Sequence, residues 1–144
     1  MTAATRVVCV AGEASGDLLA SLTLPALRAA MPDLEIAGIA GDRMIAAGVA
    51  PWWHVRELSV RGYAEVLRHL PRLFQLRADL LRRAAAWQPA VYVGVDAPDF
   101  NLGVEERLRA QGIKTVQFIA PAVWAWRAGR IKAVERAVDH LLAV

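Results

Sequence analysis

Apolar and polar positions along the chain fall into segments that favour strands and helices in turn. Short runs rich in valine and isoleucine are typical of β-strands, and apolar residues that recur every three or four positions are typical of helices. The predicted strands cover 6–10, 34–40, 90–95, 114–119 and 140–144, and the predicted helices cover 16–31, 42–47, 62–87, 101–111 and 127–138. Because strands alternate with helices, we predict an α/β fold with a doubly wound parallel sheet.

The longest predicted helix, 62–87, carries two apolar groups and an internal Pro71 that is expected to interrupt or kink it. One group is expected to face the sheet; it consists of Leu73, Leu76, Leu80, Ala84 and Trp87. The other consists of Val66, Leu67, Leu70 and Phe74, with Arg61, Arg68, Arg72 and Arg77 around it. Apolar residues ringed by arginine suit a membrane-surface element or an acyl-chain groove, and equally an amphipathic helix over the core. Trp52 and Trp53 are candidates for the same surface.

The composition fits a single globular domain, 1–144. Hydrophobic residues make up 56% of the 144 residues and charged residues 22%, which is too apolar for a disordered chain. No apolar stretch reaches the roughly 18 residues that span a bilayer, and no signal-peptide core precedes the first strand, so we expect a cytoplasmic protein. The single Cys9 is expected to be a buried thiol. His54, His69 and His140 lack the spacing of metal ligands, and we expect no metal site.

The formal net charge of +3 favours anionic partners, among which lipid head groups, phosphates and nucleic acid all remain open. The last four residues, 141–144, continue an apolar strand pattern. Because a domain seldom ends within a strand, we expect the chain to be a truncated product or one half of a longer protein.

The residues best suited to chemistry follow the predicted strands at their carboxyl ends. These loops are 11–17, 41–43, 96–101 and 121–127. They carry carboxylates, an amide, arginines and tryptophans. In a doubly wound sheet the carboxyl ends of parallel strands share one rim, where ligands bind. The sequence therefore predicts a ligand cleft built by these four loops.

The loop after the first strand has glycines at Gly12 and Gly16, which match neither a dinucleotide-binding fingerprint nor a P-loop. Free amide groups at the start of the following helix would attract a phosphate or a sugar hydroxyl near Ser15. The alternative is a tight turn in which Ser15 or Asp17 caps that helix. The residues alone leave both open.

Asp96 directly follows a strand of continuous apolar residues, which places its carboxylate at the rim, partly away from water. A carboxylate there suits a general base that takes a proton from a substrate hydroxyl. The alternative is a turn residue bonded to its own backbone. Asp99 and Asn101 both suit the cap of the next helix, and Pro98 stiffens the loop.

The loop 121–127 places two indoles beside a guanidinium group. Trp124 and Trp126 flank Ala125 directly before Arg127. Indoles stack on sugar rings and arginine holds phosphate, while two tryptophans in a loop also suit sealing the edge of a core. We expect at least one of the two to serve packing.

In order and spacing, these motifs resemble the lipid-A-disaccharide synthase family. The resemblance runs from about Val7 to Val144 and is carried by AGEASGD at 11–17, GDRM at 41–44, GVDAPDFN at 94–101, GIKT at 112–115 and PAVWAWR at 121–127. The segments at 94–101 and 121–127 are the most specific pair.

The resemblance implies a GT-B glycosyltransferase, in which two Rossmann-like domains hold the active site between them. It implies inverting transfer of 2,3-diacylglucosamine from its UDP conjugate to 2,3-diacylglucosamine 1-phosphate, which gives a β-1,6-linked disaccharide and UDP without a metal or other cofactor. The implied partners are UDP-diacylglucosamine, diacylglucosamine 1-phosphate, the inner-membrane surface and a donor-binding C-terminal half that 1–144 lacks, with no nucleic acid. This chain would then be the acceptor-side Rossmann-like half, inactive alone.

Residue by residue, Asp96 matches the catalytic base of the family, which would deprotonate the primary hydroxyl of the acceptor. The stretch 60–74, with the apolar and arginine residues named above, would meet the membrane and the acyl chains. The substrate-binding candidates are Gly12, Glu13, Ser15, Gly16, Asp17, Asp99, Asn101, Trp124 and Arg127.

Two other functions compete. One is another GT-B enzyme or UDP-sugar epimerase relative, which the arginine-ringed apolar segment disfavours because an enzyme of soluble sugars would not need it. The other is a stand-alone membrane-binding or nucleotide-binding module, which the concentration of rim motifs disfavours.

Overall fold

A computed structural model describes residues 4–58, 63–118 and 128–142, with side chains for all of these except 63–69 and 128–131. The described strands are β1 (Thr5–Ala11), β2 (Leu34–Ala40), β3 (Ala50–His54), β4 (Val91–Val95), β5 (Lys114–Phe118) and β6 (His140–Leu142). The described helices are α1 (Ala14–Ala30), α2 (Asp42–Ala46), α3 (Tyr63–Trp87), α4 (Pro98–Ala110) and α5 (Ala128–Ala137), and a short 3-10 turn covers Val55–Glu57.

The strands form one parallel sheet in the order β3-β2-β1-β4-β5-β6. The chain builds outward from β1 to β3 and then returns to the other side of β1 with β4. This is the strand order of a Rossmann fold, in which a crevice opens at the carboxyl ends of the two strands where the order reverses. The predicted doubly wound fold is confirmed, and the crevice lies between β1 and β4.

Helices cover the sheet in two groups. Right-handed crossovers place α1 and α2 on one face and α3, α4 and α5 on the other, and α4 contacts both α3 and α5. Val8, Val10 and Ile39 are fully buried, as expected for parallel strands under helices. Cys9 is buried as predicted, and burial raises the pKa of its thiol to about 12.

The predicted sheet-facing stripe of α3 is confirmed for Leu76, Leu80 and Ala84, which are all buried. Leu73 and Trp87 are half-buried at its two ends. The helix runs through Pro71 as one 25-residue element, so the proline does not end it. Packing of the following turns on the sheet maintains the helix beyond the proline.

Strand β3 was missed by the sequence analysis because Pro51 and two tryptophans show no alternating pattern. A proline is tolerated there because β3 is an edge strand. Trp52 meets Trp87 edge to face at 5.3 Å, and the guanidinium of Arg83 lies 4.6 Å from the Trp52 ring and 5.8 Å from that of Trp53. The two tryptophans therefore pack at the C-terminal end of α3, away from the arginine-ringed group at its other end.

Candidate active site

Asp96 directly follows β4, as the sequence predicts, and its backbone is left-handed. Its φ is +58°, and that of Ala97 is +44°. A left-handed backbone costs a residue with a side chain about 1–2 kcal/mol, so the surrounding structure must hold this pair in place. Backbone strain of this kind is concentrated at functional sites.

Hydrogen bonds to the peptide groups of Asp96 hold this conformation. Its N–H donates to the carbonyl of Phe118 at 3.0 Å. Its carbonyl accepts from Asn101 Nδ2 at 2.9 Å and from Gln117 Nε2 at 3.0 Å. Asn101 Oδ1 in turn accepts from the Tyr92 hydroxyl at 2.7 Å. The main chain of Asp96 is therefore fixed from α4 and β5 at once.

The start of α4 corrects two predictions. The cap position belongs to Ala97, and Pro98 opens the helix ahead of the predicted start. Asn101 lies inside the helix, is 0% exposed and donates to the protein's own backbone, so it neither caps the helix nor reaches a substrate. Asp99 lies exposed in the first turn instead of at the cap. The physical reason is the left-handed backbone of Asp96 and Ala97, which turns the chain into the helix early.

The loop after β1 lies directly against this turn because Gly12 has no side chain. A Cβ at Gly12 would lie 2.1 Å from the Cβ of Ala97, and one at Gly16 would lie 3.1 Å from the carbonyl oxygen of Val95. Both glycines are buried. They allow two loops to meet across the β1–β4 crevice, and contact of their backbone with a substrate stays a prediction.

Asp17 belongs to the framework of the site. Its carboxylate is buried and accepts hydrogen bonds from the N–H groups of Gly41, Arg43 and Met44 at 3.0, 3.1 and 2.9 Å. These are the first amides of α2, which a carboxylate stabilises. Asp17 thus ties α1 to α2 across the ends of β1 and β2. This replaces the predicted cap of its own helix, and the contact of Asp17 with substrate stays a prediction.

Glu13, Ser15 and Asp96 meet at the mouth of the crevice. Ser15 Oγ lies 3.5 Å from Asp96 Oδ2, a long hydrogen bond. Glu13 precedes α1 at its cap position but makes no side-chain cap bond. The pKa of Glu13 is raised by its hydrogen bond to Asp96, by partial desolvation and by the charge of Asp96. Glu13 therefore keeps its proton to a higher pH than an ordinary glutamate.

The loop after β2 forms an ion pair of its own with β3. Asp42 pairs with His54 at 2.9 Å, and this hydrogen bond lowers the pKa of Asp42. Trp124 and Arg127 lie outside the described residues, so their predicted contacts stay predictions.

The structure describes part of the apolar group on α3. Phe74 is 56% exposed, and the guanidinium of Arg77 lies 5.2 Å from its ring. Leu70 is half-buried. Arg72 pairs with Glu57, so its charge is partly compensated. Arg61 and the side chains of Val66, Leu67 and Arg68 lie outside the described residues.

The described residues hold neither a membrane-spanning helix nor a cluster of metal ligands. None of the described helices has the length and hydrophobicity of a bilayer-crossing segment. Within the same residues, no three histidine, cysteine, aspartate or glutamate side chains gather as metal ligands would.

Sequence analysis missed the polar side chains that lie behind Asp96. Tyr92, Glu105 and Gln117 are fully buried between β4, β5 and α4. One signal was present in β5, where Thr115 and Gln117 alternate with Val116 and so place polar groups on the helix-covered face. A buried polar residue under a helix needs a hydrogen-bonding partner. For Gln117 that partner is the carbonyl of Asp96.

The site therefore presents an exposed hydroxyl, an aspartate and a glutamate of raised pKa beside the N-terminus of a 17-residue helix. The helix N-terminus favours an anion or an electron-rich oxygen. A carboxylate held rigidly beside it suits removal of a proton from a bound hydroxyl. The geometry thus supports binding and activation of a hydroxyl-bearing, anionic substrate.

Solved structures with the same fold include two bacterial proteins. MurG from Acinetobacter baumannii matches with a TM-score of 0.59 and 12% identity over 95% of this chain and 40% of its own. A protein described as a UDP-N-acetylglucosamine 2-epimerase from Listeria monocytogenes matches with a TM-score of 0.61 and 10% identity over 99% of this chain and 39% of its own. At such identities these likenesses establish the fold alone.

Sequence comparisons are far more specific. The lipid-A-disaccharide synthase of Verminephrobacter eiseniae is 48% identical over 145 residues, covering 100% of this chain and 37% of that protein. The synthase of Chromohalobacter salexigens is 51% identical over 137 residues, covering 95% of this chain and 36% of that protein. The chain thus spans little more than a third of these relatives. The family model for lipid-A-disaccharide synthetase matches residues 7–144, and the chain belongs to that family.

Proposed function

We propose that this chain forms the acceptor-side half of an inverting glycosyltransferase of lipid A biosynthesis. The reaction transfers 2,3-diacylglucosamine from its UDP conjugate to 2,3-diacylglucosamine 1-phosphate. Its products are the β-1,6-linked disaccharide and UDP. Family membership supports the reaction, and the position of Asp96 in the β1–β4 crevice, held left-handed beside Glu13 and Ser15, supports the assignment of the site.

Asp96 acts as the general base in this proposal. Its carboxylate accepts the proton of the acceptor's primary hydroxyl while that oxygen forms a bond to the anomeric carbon of the donor sugar. The bond between that carbon and the phosphate oxygen breaks, and UDP leaves with the electron pair. A single displacement of this kind inverts the anomeric centre. Glu13 shares a hydrogen bond with Asp96, which raises the pKa of Glu13, and this contact orients the Asp96 carboxylate.

Other rim residues bind the sugars and the phosphate. The N-terminus of α1 with Ser15 accepts a phosphate or a sugar hydroxyl. From loop 121–127, Trp124 stacks on a sugar ring and Arg127 holds a phosphate. Asp99, exposed on the first turn of α4, lies on the same rim and contacts the acceptor.

The donor is bound by a second Rossmann-like domain. The chain covers 37% of the Verminephrobacter eiseniae synthase, and the remaining part of such relatives is the source of UDP contacts. The exposed Phe74 with Leu70 and the neighbouring arginines faces the lipid surface. The enzyme accordingly works as a peripheral protein on the cytoplasmic face of the inner membrane.

A chimeric enzyme tests this proposal. The chain replaces the matching N-terminal part of the Verminephrobacter eiseniae synthase, to which it is 48% identical. With UDP-diacylglucosamine and diacylglucosamine 1-phosphate, the folded chimera is expected to form the disaccharide, and the 144-residue chain alone is expected to form little or none. A folded chimera without transfer activity would overturn the assigned reaction. Robust transfer by the chain alone would overturn the division into two halves.

A further inference from the structure

A buried polar cluster lies directly behind Asp96, in the space left open by Gly94 of β4. A Cβ at Gly94 would lie 2.4 Å from Glu105 Oε1, 2.5 Å from Gln117 Oε1 and 2.8 Å from Asn101 Cγ. Three side chains, from α4 and β5, therefore converge on one point over the strand that ends at Asp96. Glu105, Gln117 and Asn101 are all 0% exposed.

The hydrogen-bonding groups of this cluster are unbalanced. Gln117 Nε2 and Asn101 Nδ2 both donate to the Asp96 carbonyl. Among the described atoms, no hydrogen-bond donor reaches Gln117 Oε1 or either carboxyl oxygen of Glu105. Turning the Gln117 amide over would not help, because its oxygen would then face the Asp96 carbonyl oxygen. Two acceptor groups, the Glu105 carboxyl and the Gln117 carbonyl, thus share a space from which water is excluded, and leaving them unpaired is costly.

One proton resolves this conflict, and only Glu105 can carry it. We propose that Glu105 is a neutral carboxylic acid whose O–H donates to Gln117 Oε1, so that Gln117 Nε2 is held on the carbonyl of Asp96. Glu105 is then a positioning residue that acts through Gln117 on the base. Its effect on catalysis rests on the proposed function, whereas its protonation and its bond to Gln117 do not.

The surroundings of Glu105 favour the neutral form. Burial raises the pKa of Glu105 to about 9, and no described cation pairs with it. On β4 it faces Tyr92, whose own pKa is raised by burial first and then by the charge of Glu105. On the flanking helices, Arg136 of α5 pairs with Glu106, and Arg77 of α3 lies at Gly103 and Phe74.

Two arms of hydrogen bonds then meet on one carbonyl oxygen. One runs from Glu105 through Gln117 to Asp96, and the other runs from the Tyr92 hydroxyl through Asn101 to Asp96. Together they offset the cost of the left-handed backbone at Asp96. Loss of the first arm leaves the carbonyl held from α4 alone, and the carboxylate then samples other positions.

Carboxyl ¹³C NMR of the 144-residue chain tests the protonation directly and independently of any activity. The Glu105 signal, assigned as the one missing in Glu105→Gln, is expected to stay at the protonated position from about pH 5 to about pH 8. The matched reference is Glu106, the exposed neighbour on α4. A Glu105 midpoint close to the ordinary 4.5 of a glutamate would overturn the proposal.

The chimeric enzyme tests the positioning role. Glu105→Leu has no donor and is expected to lower kcat about ten- to hundredfold with the acceptor KM little changed, because a misplaced catalytic group loses rate. Glu105→Gln retains a donor for Gln117 Oε1 and is expected to restore kcat to within about threefold of the parent. Glu106→Leu is the control. Equal kcat for folded Glu105→Leu and the parent, or equal loss in both Glu105 variants, would overturn the role, whereas an inactive parent would count against the proposed function alone.

Discussion

At the scale of single residues, the site depends on groups that are under strain or short of partners. Asp96 and Ala97 are left-handed, and Gly12 approaches Ala97 so closely that a Cβ at Gly12 would clash with it. Glu105 is buried, and none of the described cations pairs with it. Each of these costs stability on its own. Each also fixes the position of the Asp96 carboxylate, which is where the proposed chemistry takes place.

The buried carboxyl of Glu105 makes stability depend on pH. Its pKa is about 9 in the folded chain against an ordinary 4.5, so between these values the unfolded chain releases a proton that the folded chain retains. The free energy of unfolding should therefore fall as pH rises from about 4.5 to about 9. Glu105→Gln removes this loss and should raise the free energy of unfolding at pH 7 by about 3 kcal/mol.

Urea unfolding of both proteins at pH 5 and pH 8 measures this effect. The gap between the variant and the parent should widen as the pH rises. A constant gap at both pH values would show that Glu105 is ionised in the folded state.

A methyl group at Gly12 should push the loop after β1 away from Asp96. Its Cβ would lie 2.1 Å from that of Ala97, so Gly12→Ala forces a backbone shift and should cost about 1–3 kcal/mol of stability. Gly103→Ala is the matched control, because its Cβ meets only the tip of Arg77 at 3.0 Å and alanine favours a helix by about 1 kcal/mol over glycine. Urea midpoints measure both, and equal midpoints would contradict the close approach of the two loops.

At the scale of elements, the sequence analysis predicted every described strand except β3. Strand β2 matches its predicted bounds, and β4 differs by one residue. Strand β3 lacks the apolar pattern of a buried strand, because an edge strand with Pro51 needs little alternation of apolar and polar residues. The start of α4 was placed late because nothing in the sequence signals that two non-glycine residues, Asp96 and Ala97, are left-handed.

The candidate site was predictable in part for the same reasons. The rim position of Asp96 follows from strand order, and its meeting with Glu13 and Ser15 follows from the β1–β4 crevice. The framework roles of Asp17 and Asn101 were not predictable, because they depend on which amides lie within reach in three dimensions. In sequence, a polar residue that contacts a ligand looks the same as one that bonds to the protein's own backbone.

The exposed end of α3 should bind anionic membranes. Phe74 is 56% exposed, so replacing it costs the fold little, while burying a large apolar side chain in lipid is worth about 1.5–3 kcal/mol. Leu70→Ser with Phe74→Ser should weaken flotation of the chain with phosphatidylglycerol vesicles by about tenfold or more. Leu22→Ser, at a 67% exposed leucine on α1, is the control and should bind as the parent does. Equal binding by all three, with unchanged circular dichroism, would remove this surface from the membrane contact.

At the scale of the whole molecule, the fold brings the loops after β1, β2 and β4 to one edge of a six-stranded parallel sheet. The reversal of strand order between β1 and β4 opens the crevice. Gly12, which has no side chain, lets the loops after these two strands lie in contact. Residues 7–144 match the family model for lipid-A-disaccharide synthetase, and the proposed reaction is the one that we assign to this crevice. In the proposed enzyme the sheet supplies the acceptor side, and the proposal depends on the role of Asp96.

Turnover of the chimeric enzyme at saturating substrates, measured for Asp96→Asn and Asp99→Asn, tests that role most directly. Asparagine keeps the size and the hydrogen bonds of Asp96 but cannot accept the proton, and a positioned general base contributes about 10²–10⁴-fold in rate. We predict a loss of that order for Asp96→Asn, with the fold and acceptor KM largely kept, and a change of only a few-fold for Asp99→Asn. Turnover of Asp96→Asn within a few-fold of the parent, or a larger loss in Asp99→Asn, would contradict the assignment of the base.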